Sequence, residues 1–131
     1  MAELLRNRHF HVESVSGTPR IEVTRTAEAF ESVEEMRQVF SDVCKVLDRE
    51  GRHSSTLIVD TRLAPPRNDP AFESAFDPLR VALLTGFAKT AVVVRTTAGR
   101  LQAERHAKSD GLRVAVFTDL EDARAFCSYL W

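Results

Sequence analysis

The sequence has few cysteines and no long apolar run, and each absence excludes a class of protein. Cys44 and Cys127 are the only cysteines among 131 residues. They are too few for a disulfide framework and lack the close spacing of a zinc site. No stretch of about 18 apolar residues occurs, so we expect no membrane-spanning helix. The first ten residues contain Glu3, Arg6 and Arg8, where a signal peptide needs an uninterrupted apolar stretch, so we expect a cytoplasmic protein.

An excess of charge of either sign and a catalytic motif are also lacking. The formal net charge is −1, which argues against a duplex-DNA-binding protein with a basic face, and we expect no nucleic-acid partner. The sequence shows no recognisable Ser-His-Asp or Cys-His arrangement and no glycine-rich phosphate-binding loop. We therefore expect no enzymatic activity, no catalytic residue, no cofactor and no metal site.

What is present is typical of one folded domain. Hydrophobic residues make up 44% of the chain and charged residues 28%, and the length suits a single domain. Residues 10–14 and 21–25 alternate between apolar and polar side chains on either side of Gly17, which predicts a β-hairpin with one solvated face. Three further strands, each buried on both faces, are predicted from continuously apolar runs at residues 56–59, 91–94 and 114–117.

Residues 32–50 carry the strongest helical pattern, because their apolar side chains recur at spacings of three and four. Ser32 and Glu35 have the spacing of a capping box, in which each side chain satisfies a free backbone N–H at the start of a helix. Gly51 follows the last residue of the pattern. It therefore predicts the end of this helix.

Three shorter helices are predicted further along the chain. One begins at Asp69, which precedes a proline, and it contains Pro78. Because proline removes a backbone N–H, we expect a kink there or a restart with Asp77 as a second cap. Another helix covers residues 98–108, where few side chains are apolar. The last helix starts at Thr118, which is predicted to be its N-cap.

The predicted element order is β-β-α-β-α-β-α-β-α in a single domain over residues 1–131. Buried strands that alternate with amphipathic helices call for right-handed crossovers and parallel pairing. The hairpin adds antiparallel strands at one side. The sequence therefore predicts an α/β fold in which a mixed, mainly parallel five-stranded sheet is flanked by four helices.

Three features together resemble the STAS superfamily, which includes anti-sigma factor antagonists and the tails of sulfate transporters. They are the element order, the segment Asp60-Thr61-Arg62 after the third strand, and the terminal segment from Phe117 to Ala123. Over residues 8–131 the chain is most similar to stand-alone bacterial STAS domains that carry the label of the lipid-binding Sec14 group. The resemblance implies a STAS-like module that binds a protein partner, in regulation or as a scaffold, without chemistry of its own.

The phosphorylation switch of the family does not transfer to this sequence. Antagonists of the STAS superfamily carry a phosphorylatable serine at the start of the helix after the third strand. Residues 60–70 contain no serine, and the next one along the chain is Ser74. Thr61 is the only hydroxyl residue in this stretch, and a threonine at a strand end usually bonds to the backbone. We therefore expect binding without the usual phosphoserine.

Basic and polar residues follow the predicted parallel strands, and ligands bind at that edge of open α/β sheets. The segment Thr97–Arg100 also starts a helix, whose free backbone N–H groups favour an anion. A carboxylate or phosphate, free or on a partner protein, is the ligand expected here. The candidate partner- or anion-binding residues are Arg62, Arg67, Asn68, Thr97, Arg100, Arg105 and Lys108. The alternative is that the arginines pair with Asp60, Asp69 and Asp119 on a solvated rim.

The small net charge hides two regions of opposite charge. Residues 28–50 hold seven acids and three bases, a net charge of −4, and residues 95–113 hold five bases and two acids, a net charge of +3. Opposed patches steer a charged partner or drive self-association, so a homodimer is an alternative to a different protein partner. Two ordinary solvated helix faces are the other interpretation.

Two functions from different classes follow. The first is a non-enzymatic module that binds a protein partner through the loop at residues 62–68 and the segment at residues 95–108. The alternative is a small-ligand module that holds an anion or a lipid between the helix around Pro78 and the edge of the sheet. Residues 79–84 support this alternative because they carry more apolar side chains than one helical stripe requires.

Overall fold

A computed structural model describes residues 1–66 and 69–131. Within these residues one sheet contains six strands, which lie side by side in their order along the chain. The strands are β1 (Ala2–Arg6), β2 (Phe10–Ser14), β3 (Arg20–Arg25), β4 (Thr56–Asp60), β5 (Lys89–Val93) and β6 (Ala115–Phe117). The first three strands pair antiparallel, whereas β3, β4, β5 and β6 pair in parallel.

Helices follow the parallel strands. They are α1 (Val33–Glu50), α2 (Pro70–Leu84), α3 (Thr97–Ser109) and α4 (Leu120–Cys127), and a short 3₁₀ helix covers Arg52–Ser54. The predicted α/β class, the mixed sheet and the four flanking helices are confirmed. The predicted hairpin is confirmed as well, since Val12 of β2 lies opposite Val23 of β3.

The predicted number of five strands is wrong, because β1 adds a sixth strand at the edge of the sheet. Leu5 lies opposite Val12, and Arg6 lies opposite His11. The register shifts between Glu3 and Leu5, and this irregularity interrupts the simple alternation by which strands are recognised. A short edge strand with an irregular register therefore leaves little signal in the sequence.

The order of the parallel strands determines where the helices lie. Each crossover from β3 to β4, β5 and β6 moves one strand in the same direction. Because such crossovers are right-handed, α1, α2 and α3 all lie on one face of the sheet. The helix α4 comes after the last strand and covers the opposite face, where Ala123 and Cys127 contact Ile58, Ala91 and Val93.

The larger hydrophobic core lies between α1, α2 and the face of the sheet beneath them. Phe40 of α1 is at its centre, with ring centroids 5.3 Å from Phe10 of β2 and 5.8 Å from Phe76 of α2, both in edge-to-face geometry. Leu47 and Leu57 are completely buried in the same cluster. This core attaches α1 and α2 to the sheet on one side of the molecule.

The ends of α1 are those that the sequence predicts. The hydroxyl of Ser32 accepts a hydrogen bond from the backbone N–H of Glu35 at 3.0 Å. The carboxylate of Glu35 in turn accepts from the backbone N–H of Glu31 at 2.9 Å, which shifts the second half of the capping box by one residue. Gly51 ends the helix with a φ of 90°, a conformation that a side chain disfavours.

Two helix details differ from the prediction. The predicted restart is wrong, because α2 is one helix with Pro78 inside it, and Asp77 forms an ion pair with Arg80 instead of capping a second helix. The kink at Pro78 stays a prediction. The N-cap of α4 is Asp119, whose carboxylate accepts from the backbone N–H of Glu121 at 2.7 Å, so Thr118 is not the cap. A carboxylate at this position also interacts favourably with the positive end of the helix dipole.

Side-chain bonds also attach α4 to the sheet. The buried carboxylate of Glu22 on β3 accepts hydrogen bonds from Nε and Nη2 of Arg124, both at 2.9 Å, and these bonds raise the pKa of Arg124. Burial raises the pKa of the Cys127 thiol to about 11. Cys127 therefore acts as a small apolar core residue and not as a reactive thiol.

Candidate functional site

A cavity of about 580 Å³ separates α2 from α3 on the helical face of the sheet. This volume lies within the range of small-molecule sites. The walls come from the helices α1, α2 and α3, from the strands β3, β5 and β6 and from the loops between them, and they are mainly apolar. Representative wall residues are Phe72 and Phe76 of α2, Ala103 and Ala107 of α3, Val92 of β5 and Val116 of β6.

The cavity exists because α3 presents small side chains toward the sheet. Gly99, Ala103 and Ala107 recur at a spacing of four and line the cavity. In α1, the corresponding face carries large residues such as Phe40 and Leu47, which are buried. A helix with small residues on its inner face cannot fill the space that bulky residues fill beneath α1.

An arginine from α2 bridges the two helices at the cavity wall. Nη1 of Arg80 donates to Asp77 at 3.1 Å within α2, and Nη2 donates to Asp110 at 2.5 Å, at the residue that ends α3. The Arg80 side chain also lies over the ring of Phe76, with Cζ 5.6 Å from the ring centroid. Its charge is therefore balanced by two carboxylates in a largely buried position.

Nε of Arg80 differs from the two Nη atoms. Among the buried side-chain nitrogen and oxygen atoms of the described residues, Nε of Arg80 is the one for which no hydrogen-bond partner is found. Arg80 belongs to the cavity wall. A buried donor without an acceptor is unfavourable.

A second arginine, Arg25 of β3, also lines the cavity. Its Cζ lies 4.4 Å from the ring centroid of Phe30, which is a cation–π distance. Nη1 of Arg25 donates to the carbonyl oxygens of Thr26 at 2.8 Å and His9 at 3.3 Å. The guanidinium is therefore engaged by an aromatic ring and by the backbone.

The loop residues that the sequence predicts as a site are placed as follows. Arg62 forms a bidentate ion pair with Asp60, with Nε–Oδ1 at 3.0 Å and Nη2–Oδ2 at 2.8 Å, which raises the pKa of Arg62. Arg95 reaches the same loop, because its Nη1 donates to the carbonyl oxygen of Arg62 at 3.3 Å. Arg67 and Asn68 lie outside the described residues.

The remaining predicted residues lie on α3. Thr97 is the first residue of the helix, and the hydroxyl of Thr96 before it accepts from the backbone N–H of Gly99 at 3.0 Å. Arg100 pairs with Glu104 at 3.4 Å. Thr97 and Arg100 are exposed near the start of the helix, and two further predicted residues, Arg105 and Lys108, are exposed farther along it.

Helical spacing places four exposed residues on one outer face of α3, away from the cavity. They are Leu101, Glu104, Arg105 and Lys108, at intervals of three and four. Leu101 is 54% exposed. Within residues 1–66 and 69–131, Arg105 and Lys108 form no ion pair. This outer face therefore combines an exposed leucine with two unpaired cations.

A known structure shares this arrangement of helices and strands. It is an uncharacterized protein from the DUF3478 family with a SpoIIAA-like fold, from Shewanella loihica PV-4. The match has a TM-score of 0.67 and covers 94% of this chain and 98% of that chain, at 11% sequence identity. The fold is SpoIIAA-like. No family model matches the sequence, and no curated protein is similar to it.

The SpoIIAA-like fold is the fold of STAS domains and anti-sigma factor antagonists, so the resemblance in the sequence is confirmed at the level of fold. None of the helices among the described residues has both the length and the apolar character needed to cross a membrane.

The sequence did not identify Arg80 or Asp110 as site residues, although it indicated apolar residues around Pro78. Asp77 and Arg80 are three positions apart, a spacing typical of helical ion pairs. The partner Asp110 lies 30 residues farther along the chain. Whether residues so far apart along the chain form an ion pair depends on how the two helices are placed over the sheet, and no local sequence pattern predicts it.

Proposed function

We propose that the protein is a non-enzymatic binding module that takes up a small, mainly apolar ligand in the cavity between α2 and α3. The observation that carries the proposal is the cavity itself, about 580 Å³ in volume with mainly apolar walls. Apolar walls in contact with water are unfavourable, at about 25 cal/mol for each Å² that a ligand would cover. A ligand with an apolar body gains this free energy on entering.

The geometry favours an apolar ligand over a free anion. Arg62 is already paired with Asp60, and the hydroxyl of Thr96 already accepts from one N–H at the start of α3. Arg100 is paired with Glu104, and the unpaired Arg105 and Lys108 lie on the outer face of α3, away from the cavity. On the cavity wall, apolar side chains outnumber charged ones.

A pair of alanine-to-tryptophan variants tests this proposal on a single helix. Ala103 lines the cavity, whereas Ala98 is exposed at the start of α3. Thermal unfolding is followed with decyl compounds, nucleotides and dicarboxylates. At 100 times its dissociation constant, a ligand raises the apparent stability by about 2.7 kcal/mol.

We expect decyl compounds to stabilise the wild type and Ala98→Trp, and to have little effect on Ala103→Trp, whose indole fills the cavity. Nucleotides and dicarboxylates are expected to cause no shift. An absence of any shift with the decyl compounds in the wild type contradicts the proposal. An equal shift in both variants places the binding elsewhere.

We propose, as a second candidate, that the outer face of α3 binds a protein partner. The observation that favours it is the exposed Leu101 beside Arg105 and Lys108, for which no ion pair is found in the described part of the chain. An apolar side chain bordered by cations suits a partner surface with an apolar centre and an acidic rim.

The test replaces Arg105 and Lys108 with glutamate and Leu101 with serine in one variant. Arg37→Glu on the exposed face of α1 is the control, because it changes charge by the same sign on another helix. We expect crosslinked partners of the wild type to be retained by the control and lost by the α3 variant. Retention of every partner by the α3 variant rules out this surface.

A further inference from the structure

Four exposed apolar side chains lie together at the end of α4. They are Phe126, Tyr129, Leu130 and Trp131. The rings of Tyr129 and Trp131 stack with their centroids 5.3 Å apart, and both residue types are common anchors of protein interfaces. We propose that the exposed face of α4 binds a second copy of this chain, with the two α4 helices antiparallel across a two-fold axis. This contact uses neither the cavity nor Leu101 and Arg105 on the outer face of α3.

Helical spacing gives α4 one buried face and one exposed face. Ala123 and Cys127, four residues apart, are buried against the sheet. Asp122, Ala125 and Phe126 are exposed, and their spacing of three and four places them on the other face. A side chain as small as that of Ala125 lets a second helix approach closely. The exposed face is therefore shaped to pack against another helix.

The start of this face is acidic. Asp119 is the N-cap of α4, and Glu121 and Asp122 belong to its first turn. The carboxylate of Asp119 accepts from a backbone N–H, and Glu121 pairs with Arg124 at 2.8 Å. Asp122 is exposed and forms no ion pair with any described residue. Its carboxylate is therefore available to a cation of another molecule.

The other end of this face is basic. Phe126 lies in a shallow groove with Lys108 and Arg113, and Nζ of Lys89 lies 5.0 Å from the centroid of its ring. The acidic residue in the same groove, Glu104, already has an arginine partner on α3. Arg113 is exposed, and the described part of the chain offers it no ion pair. Its guanidinium is therefore available to an anion of another molecule.

One chain thus carries both halves of a complementary surface. A two-fold axis across α4 brings Asp122 of each copy toward Arg113 of the other, so that two ion pairs form at once. The exposed ring of Phe126 lies between these charges and packs against the same face of the second helix. Antiparallel helix dipoles add a favourable term. A second copy supplies the acid, the cation and the apolar centre together by symmetry.

The experiment measures self-association of the full chain by sedimentation equilibrium, between about 5 μM and about 500 μM, a range that suits a weak contact. Asp122→Lys and Arg113→Glu each place like charges across both contacts of the dimer. An equimolar mixture of the two variants restores opposite charges in both contacts. Glu50→Lys and Arg49→Glu are the matched controls, because they make the same changes of charge at exposed positions of α1.

We expect the wild type and both controls to form a dimer that weakens as the salt concentration rises. Asp122→Lys alone and Arg113→Glu alone should associate at least about tenfold more weakly. Their mixture should form a heterodimer with an affinity close to that of the wild type, which also shows that both variants are folded. If either variant does not fold, Ala125→Glu takes its place. It puts a carboxylate of each copy at the middle of the contact and should weaken association as well.

A wild type that stays monomeric at the highest concentration overturns the proposal, and so does assembly into open chains larger than a dimer. The contact lies elsewhere if both charge variants, or Ala125→Glu, dimerise as the wild type does. The same conclusion follows if the mixture stays monomeric although each variant has the circular dichroism of the wild type. Ligand binding in the cavity is measured separately with the decyl compounds, so its failure and the failure of this proposal are distinguishable.

Discussion

The helices α1 and α3 lie on the same face of one sheet and begin in the same way, but they are packed very differently. Each has a hydroxyl cap at 3.0 Å from a backbone nitrogen, Ser32 in α1 and Thr96 in α3. The buried residues of α1 are Met36, Phe40, Val43, Val46 and Leu47. In α3 only Ala107 among the described residues is buried.

The difference shows that a good N-terminal cap does not determine how firmly a helix is attached to the rest of the fold. Burying one large apolar side chain contributes about 1.5–3 kcal/mol, and α1 does so five times. α3 is attached by small residues and by the ion pair between Arg80 and Asp110. A helix with few buried contacts unfolds locally at a small cost in free energy, and binding sites often lie on such elements.

The largest expected effect comes from truncating one leucine in each helix. Leu47→Ala removes a completely buried side chain of α1 and should lower the free energy of unfolding by about 2–5 kcal/mol. Leu101→Ala on α3 removes an exposed side chain and should change it by less than about 0.5 kcal/mol. Urea unfolding measures both, and similar losses would contradict the comparison.

A smaller effect is expected from removing each cap. Ser32→Ala should lower the free energy of unfolding by about 1 kcal/mol. Thr96→Ala should lower it less, because the loosely packed α3 opens before the whole domain unfolds. In that variant, hydrogen exchange should accelerate in α3 and leave α1 unchanged. Equal effects of the two substitutions on global stability would show that α3 unfolds together with α1.

The smallest expected effect depends on pH and concerns Glu35 at the start of α1. The hydrogen bond from the backbone N–H of Glu31, with further contributions from His9 and Arg8, lowers the pKa of the Glu35 carboxyl. A lowered pKa stabilises the fold above the usual pKa of a glutamate, and this stability is lost as the pH falls through the lowered value.

Acidification should therefore destabilise the wild type more than Glu35→Gln, which has no carboxylate to protonate. The first turn of α3 contains no acidic residue, so it adds no equivalent pH dependence to the stability of the fold. Denaturant unfolding between about pH 7 and about pH 3 measures the difference. Parallel pH profiles of the two proteins would mean that the capping carboxylate contributes nothing to this dependence.

Much of the fold could be predicted because short segments of the sequence determine it. Ser32 and Gly51 bracket α1 in the sequence as they do in the structure. The strands β4, β5 and β6 follow from their continuous apolar runs, although only Val116 of β6 is buried. The strand β1 could not be predicted, since its alternation is broken between Glu3 and Leu5. Asp119 and Thr118 are both good caps, and only the path of the chain out of β6 selects between them.

The candidate site was less predictable than the fold. Basic residues at the ends of strands were visible in the sequence, and the pairing of Arg62 with Asp60 is the alternative that the sequence offered for that arginine. The cavity requires Val92, Val116 and Ala103 to meet from three elements. The cavity is the space that the small side chains of α3 leave open, so no single segment of the sequence predicts it.

The sequential order of the strands has a consequence for the nascent chain. Each new parallel strand adds to the edge left by the one before, so the sheet can grow during synthesis without threading one segment between two others. Only one face is sealed in this way. The apolar side chains on the other face, Ile58, Ala91 and Val93, stay uncovered until α4 packs against them through Ala123 and Cys127. A growing chain would therefore carry an exposed apolar surface that a chaperone could recognise until α4 emerges from the ribosome.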